Sequence, residues 1–303
     1  MRGFFRDLML KRKMRRAISA RRDFHLPDDL ASPDSLAVLC GDSEGDVWPA
    51  LYLIESIRSH YQGARTRVIC TERDRPLFSA MLGADDLLSY REMPTETLER
   101  LVEVRGERSI AFFPYRSISL AQASFLAQLR PLVSVGPTEH PCIGVSVRLS
   151  DDCRMPDMVH TICEVLHIQP RKNYRPSVSR SEMARAATVL APVSGRAMPF
   201  VSCTRRIKDM LRDEGAEIPL KTVVLKGDHP DLRPPDRSLF LAVLGSSSVV
   251  LTDDPGMWGD ACALGIPVVG LDEKGSFPGW RSDPASSREE FLQSWNHLLR
   301  EGW

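Results

Sequence analysis

From Ser35 onward the chain alternates short apolar runs with longer stretches whose apolar positions recur every three or four residues. The runs "SLAVLC" (35–40), "TRVICT" (66–71), "DLLSY" (86–90), "SIAFFPY" (109–115) and "LVSVG" (132–136) read as strands. Between and after them, 47–61, 75–83, 95–105, 119–130 and 156–168 carry the helical period. Thr95 is a candidate N-cap and Gly83 a helix stop. The second half repeats the scheme with strands over 197–203, 221–227, 248–253 and 267–272. Its helices fall at 179–192, 205–215, 238–247, 256–265 and 287–302. Apolar strands alternating with helices imply parallel sheets covered on both faces.

"NYRPSVSRS" (173–181) interrupts the alternation and marks the boundary between two Rossmann-like domains. The expected division is an arm and linker over 1–34, a first domain over 35–172, a second over 173–280, and a last segment, 281–303, whose helix returns to the first domain. A length of 303 residues suits two domains.

The formal net charge is zero, which argues against a nucleic-acid binder. Seven cysteines without a CxxC pair suit a reducing compartment, so the sequence places the protein in the cytoplasm. Seven histidines form no HxH or HxxxH cluster, so no metal is expected. No apolar run reaches the roughly 18 residues a membrane span needs.

The amino-terminal stretch "MRGFFRDLMLKRKMRRAISARR" changes that picture locally. Nine of these 22 residues are Lys or Arg and Asp7 is the sole acid. Phe4, Phe5, Leu8, Met9, Met14 and Ile18 recur at helical spacing among them. A basic amphipathic helix of this kind lies in the headgroup region of an anionic membrane or packs on a protein partner. A Pro-, Asp- and Ser-containing linker, 23–35, follows it.

Two stretches carry candidate chemistry. In "VVLTDDPGMWGDACALGIPVVGLD" (249–272) a strand turns directly into a helix through Asp253, Asp254, Pro255 and Gly256. A helix N-terminus carries about half a positive charge and free N–H groups, so it can hold an anion. The amides of Gly256, Met257 and Trp258 are the candidates, with Asp254 expected to cap the helix or hold the turn. A plain strand-to-helix connection is the alternative. Asp46, just before helix 47–61, is either an N-cap or a base on a strand-end loop. Trp48 and Trp258 suit stacking on a sugar or base, and equally aromatic packing. Asp42 and Glu44 read as solvated loop acids, and His160 as a helix-face residue.

These stretches together resemble glycosyltransferase family 9, the ADP-heptose:lipopolysaccharide heptosyltransferase-like proteins. That family leads from its first strand through a Ser-x-Gly-Asp-Val turn into a helix; here "CGDSEGDVWPALYLIESIR" keeps Ser43, Gly45, Asp46 and Val47. Its second signature is Thr-Asn-Asp-Thr-Gly-Pro-Met-His, an Ala-rich helix, then Leu-Gly-Thr-Pro and a strand. Here "LTDDPGMWGDACALGIPVVGLD" keeps Thr252, Asp254, Gly256, Ala261, Ala263, Leu264, Gly265 and Pro267. The resemblance spans roughly 35–272. Pro255 stands where the family has Thr, and Gly259 where it has His. The family's lysine segment is shortened in "PFVSCTRRIKDMLRDEG", where Arg205, Arg206 and Lys208 are the possible charge partners.

The resemblance implies a GT-B-like α/β fold with an acceptor domain first and a donor domain second, and a cleft between loop 41–46 and turn 253–258. It implies inverting transfer of a sugar from a nucleotide-sugar to a cell-envelope glycolipid or glycan, with no cofactor or metal, at the cytoplasmic face of the inner membrane. Asp46 matches the catalytic base, Ser43 and Gly45 the acceptor loop, and Asp254, Gly256, Met257 and Trp258 the donor-phosphate turn. The departures leave a second reading open: a catalytically inactive GT-B-like binding or assembly module.

Overall fold

The computed structural model describes residues 32–41, 47–82, 87–89, 109–129, 131–150, 153–170, 178–194, 199–216, 218–228, 230–234, 236–275, 277 and 283–301. The amino-terminal arm, loop 42–46 and the helix expected over 95–105 lie outside these residues. The chain divides into two units, residues 1–79 with 83–174, and 175–303 with 80–82.

In the first unit six strands, β1 (Ser35–Leu39), β2 (Arg65–Cys70), β3 (Leu87–Ser89), β4 (Ser109–Phe112), β5 (Val133–Gly136) and β6 (Val145–Ser146), form one sheet. Their order is β3-β2-β1-β4-β5-β6. Every neighbour pairs in parallel. This is the Rossmann strand order, reversing direction between β1 and β4. β6 was not expected; two residues are too few to establish a period.

The helices of this unit are α1 (Val47–His60), α2 (Arg75–Leu82), α3 (Leu120–Leu129) and α4 (Asp157–Val165). Ten of the fourteen α1 residues are buried, so this helix is covered nearly all round rather than along one stripe. Each fully buried Leu or Ile there contributes about 1.5–3 kcal/mol. Trp48 is among them, fully buried. It is therefore a core side chain rather than a surface on which a ligand stacks.

The carboxyl end of β1 is fixed from α3. Ser119 N–H donates to Gln122 Oε1 at 2.8 Å, and Gln122 N–H donates back to Ser119 Oγ at 3.3 Å. This reciprocal pair is a capping box. The buried Gln122 amide then donates from Nε2 to the Cys40 carbonyl, 3.2 Å away.

The second unit holds β7 (Phe200–Thr204), β8 (Lys221–Lys226), β9 (Val249–Thr252) and β10 (Val268–Gly270), ordered β10-β9-β7-β8. All neighbours again run parallel. Its helices are α5 (Arg180–Ser194), α6 (Arg205–Asp213), α7 (Arg237–Gly245), α8 (Pro255–Leu264) and α9 (Arg288–Glu301). Asp236 caps α7 by accepting from Leu239 N–H at 2.8 Å. That bond, followed by the Arg185 guanidinium, holds its carboxyl below the usual range. Gly265 ends α8 in the left-handed region, φ 69°, where a Cβ would be strained.

The last helix is anchored in the second unit. Phe291 and Trp295 of α9 are fully buried in the second unit's own core, with Val201, Leu251 and Leu271. These side chains pack beside Val269 and Leu271, at the β10 side of the sheet. Ala285, just before α9, extends that edge by a parallel bridge to Leu271.

None of the seven cysteines is joined in a disulfide. Burial pushes the thiols of Cys70, Cys163 and Cys203 up to about 12. In native protein at pH 8 these three should therefore resist iodoacetamide, and react once the chain is unfolded in guanidinium. Mass spectrometry of the labelled peptides measures this. Alkylation of all three in the native state at the rate of the unfolded chain would contradict the packing described.

Candidate functional site

In the second sheet the chain order reverses at β7, which lies between β8 and β9. At such a reversal the crossover connections leave on opposite faces, and a crevice opens at the strands' carboxyl ends. β7 ends at Thr204 and β9 at Thr252, so both lead into this point. Thr204 Oγ1 donates to Asp253 Oδ1 at 2.6 Å, tying the two strand ends together.

The β9–α8 turn is built around Asp254. Its extended backbone, φ −103° and ψ 121°, makes it the N-cap of α8. Its N–H donates to Thr252 Oγ1 at 2.9 Å, and its Oδ1 accepts from Met257 N–H at 2.7 Å. Trp258 N–H donates to the Asp254 carbonyl at 3.0 Å. The expected capping role of Asp254 is the one observed.

The same bonds revise the anion-binding set. Met257 and Trp258 have their amides engaged in the cap and the first helical bond. A capped helix start leaves only its first two amides outside such bonds. The first belongs to Pro255, which has no N–H. Gly256 is the one residue of the candidate trio whose amide no cap or helical bond claims.

Trp258 is also not a stacking platform. It is 1% exposed, and its ring lies 5.5 Å from that of Phe277. A Cβ on Gly270 would come within 2.5 Å of Trp258 Cε3, so the bare glycine makes room for the indole. Two residues further along α8, the fully buried Asp260 meets Arg237 Nη2 of α7 at 2.6 Å. Removing either partner would strand a buried charge, which typically costs about 3–5 kcal/mol.

The three possible charge partners separate into two groups. Arg206 donates from Nη1 to Asp253 Oδ2 at 3.2 Å and from Nη2 to Glu273. The Glu273 carboxylate holds this guanidinium above its usual range, so it stays charged. Arg288 reaches the other Glu273 oxygen at 3.6 Å. Arg205 and Lys208 lie instead beside Asp231, at 3.7 and 3.6 Å. Arg206 thus joins the turn, through Asp253, and the other two belong to the β8 side. Asp46, Ser43 and Gly45 lie outside the described residues.

One residue of the turn's surroundings was not anticipated. Lys226, the last residue of β8, places Nζ 2.8 Å from Asp254 Oδ1. The signal was present in "KTVVLKG", where an apolar strand ends on a lysine just before glycine, at the edge where such sheets hold ligands. Among the described residues no group of three or more His, Cys, Asp or Glu is arranged to hold a metal ion. No helix among them is long and apolar enough to cross a membrane.

No known family model matches the sequence. No curated protein matches it either. Solved structures do. A family 9 glycosyl transferase from Veillonella parvula superposes with a TM-score of 0.63 at 14% identity, over 93% of this chain and 100% of its own. E. coli ADP-heptose LPS heptosyltransferase II gives 0.60 at 15%, over 88% and 99%. The chain has the fold of the heptosyltransferases. E. coli heptosyltransferase WaaC with ADP-2-deoxy-2-fluoro heptose agrees, at 0.55 and 12% identity, over 88% and 99%. The expected α/β class with two Rossmann-like, GT-B-type domains is therefore the one present.

At the β9–α8 turn, Asp254→Ala should destabilise the chain by about 1–2 kcal/mol, through loss of the α8 cap. Asp254→Asn should cost only a few tenths of that, roughly, since Asn caps nearly as well. Urea unfolding of the two variants measures the difference. Equal losses would mean that the carboxylate's charge, and not its capping oxygen, holds the turn.

Proposed function

We propose that this protein is a glycosyltransferase of the heptosyltransferase-like kind, moving a sugar with inversion from a nucleotide-sugar to a cell-envelope glycolipid or glycan. The observation that carries the reading is the fold, which matches the whole length of heptosyltransferase chains rather than one domain of them. The donor named for one E. coli relative is ADP-heptose. A heptose-like sugar on a nucleoside diphosphate is the donor class proposed here.

In this reading Asp46 takes the proton of the acceptor hydroxyl, on a loop shaped by Ser43 and Gly45. The departing diphosphate is received by the positive end of α8 and the Gly256 amide, without metal or cofactor. Arg206 reaches it only by loosening its hold on Asp253 and Glu273. The basic residues of 1–22 bring the enzyme to the anionic cytoplasmic face of the inner membrane, or to a protein partner there.

Specific observations favour the second reading, an inactive binding or assembly module. Pro255 deletes an amide, two more are used inside α8, and Arg205, Arg206 and Lys208 each face a carboxylate. Thermal melts with nucleoside diphosphates separate the two readings. The transferase should be stabilised by at least one of them at millimolar concentration. Asp46→Asn should keep that shift while turnover falls about 10²–10⁴-fold, the usual contribution of a general base. Gly256→Val should lose the shift, because a β-branched side chain would hold phosphate off the helix. No shift in wild type for any base would leave only the module.

The arm is tested separately. Full-length protein should pellet with anionic vesicles at low salt, and removal of residues 1–22 should abolish this. Raising the salt should weaken binding, since each basic residue contributes about 1 kcal/mol or less and is screened. Equal pelleting of both forms would assign the arm to a protein partner.

A further inference from the structure

Asp254 Oδ1 accepts two donors from different parts of the chain, Met257 N–H at 2.7 Å and Lys226 Nζ at 2.8 Å. The lysine arrives from β8, across β7, and its ammonium also lies 5.7 Å from the centre of the Phe240 ring. Lys226 and Asp254 are each about three-quarters shielded, with side-chain exposures of 25% and 29%. Their attraction is therefore less screened than that of a surface pair.

The arrangement matters because of what the turn must receive. A nucleoside diphosphate reaching the Gly256 amide meets two adjacent carboxylates, Asp253 and Asp254. Asp253 is covered by Thr204 and Arg206. Asp254 is covered by Lys226. Left uncovered, its charge would cancel the half-positive end of α8, which is the feature that attracts the anion.

We propose that Lys226 is a positioning residue for the nucleoside diphosphate: it acts through Asp254, holding that carboxylate on the cap and neutralising it so that the turn accepts an anion. The inference rests on the transferase reading above. It differs from direct ligation in one respect: removing the Asp254 charge makes Lys226 dispensable.

A double-mutant cycle tests this on the full-length protein. Wild type, Lys226→Met, Lys226→Arg, Asp254→Asn and the double variant Lys226→Met/Asp254→Asn are titrated calorimetrically with ADP, and with UDP, GDP and CDP alongside. Met keeps the apolar stem against Phe240 while deleting the charge. Lys226→Met should weaken binding about tenfold, between the screened and near-surface limits for unit charges a few ångströms apart. Lys226→Arg should stay close to wild type. Asp254→Asn keeps the cap while removing the charge that Lys226 covers, and is the reference for the double variant. The double variant should recover to near the wild-type affinity, and that recovery is the result a purely structural role does not give.

A double variant as weak as Lys226→Met alone overturns the proposal, since the lysine would then touch the ligand itself. Lys226→Met binding as wild type does also overturns it. Thermal melts show which variants are folded; should Lys226→Met fail, Lys226→Gln with and without Asp254→Asn gives the same cycle. If wild type binds none of the four nucleotides, the transferase reading falls and this inference with it. That outcome is distinct from the other two, in which wild type binds.

Discussion

A strand paired in parallel with its neighbour cannot reach it by a tight turn; the chain must cross back over the sheet first. Every strand pairing among the described residues is of that kind. One consequence is that all carboxyl ends of a sheet fall on one edge. Thr204 and Asp253, 49 residues apart in sequence, share a hydrogen bond there. Arg206 and Glu273 are 67 apart and Lys226 and Asp254 28 apart, and each pair meets on the same edge. The site is thus a product of strand direction before it is a product of any motif.

What collects at that edge is balanced charge. Arg206 lies between Asp253 and Glu273, Lys226 sits on Asp254, and Arg205 and Lys208 share Asp231. The more exposed of these pairs contribute little to stability. Their importance is to the anion that the helix end would attract: each carboxylate lowers the local potential and each cation restores it. A turn of this sort is tuned by neutralisation, and the affinity it offers a phosphate depends on which partners stay paired.

The sequence carried the fold well and the site in part. Nearly every strand was legible because parallel, doubly covered strands are continuous apolar runs, as in "TRVIC" and "SVVLT". The cap at Asp254 was legible because acid, proline and glycine before a helix have few other uses. Lys226 was legible only as the lysine that ends the strand "KTVVLK"; nothing local says that it will cross to a turn 28 residues away. The use of the Met257 and Trp258 amides was not legible, because it follows from cap geometry rather than residue type. A related limit applies to α9: amphipathic spacing shows that Phe291 and Trp295 are buried, but not by which sheet.

The tryptophans divide unequally between the two units. Trp48 is the only one in residues 1–174, and it is fully buried on α1. Trp258 and Trp295 are buried in the second unit, on α8 and α9. Indole emission from an apolar interior shifts to longer wavelength when water reaches the ring. Each unit therefore contains its own optical reporter, and a Trp48→Phe variant silences the first while leaving the second. Comparing its emission with that of the parent along a denaturant series would show whether the two units lose their cores together or in turn.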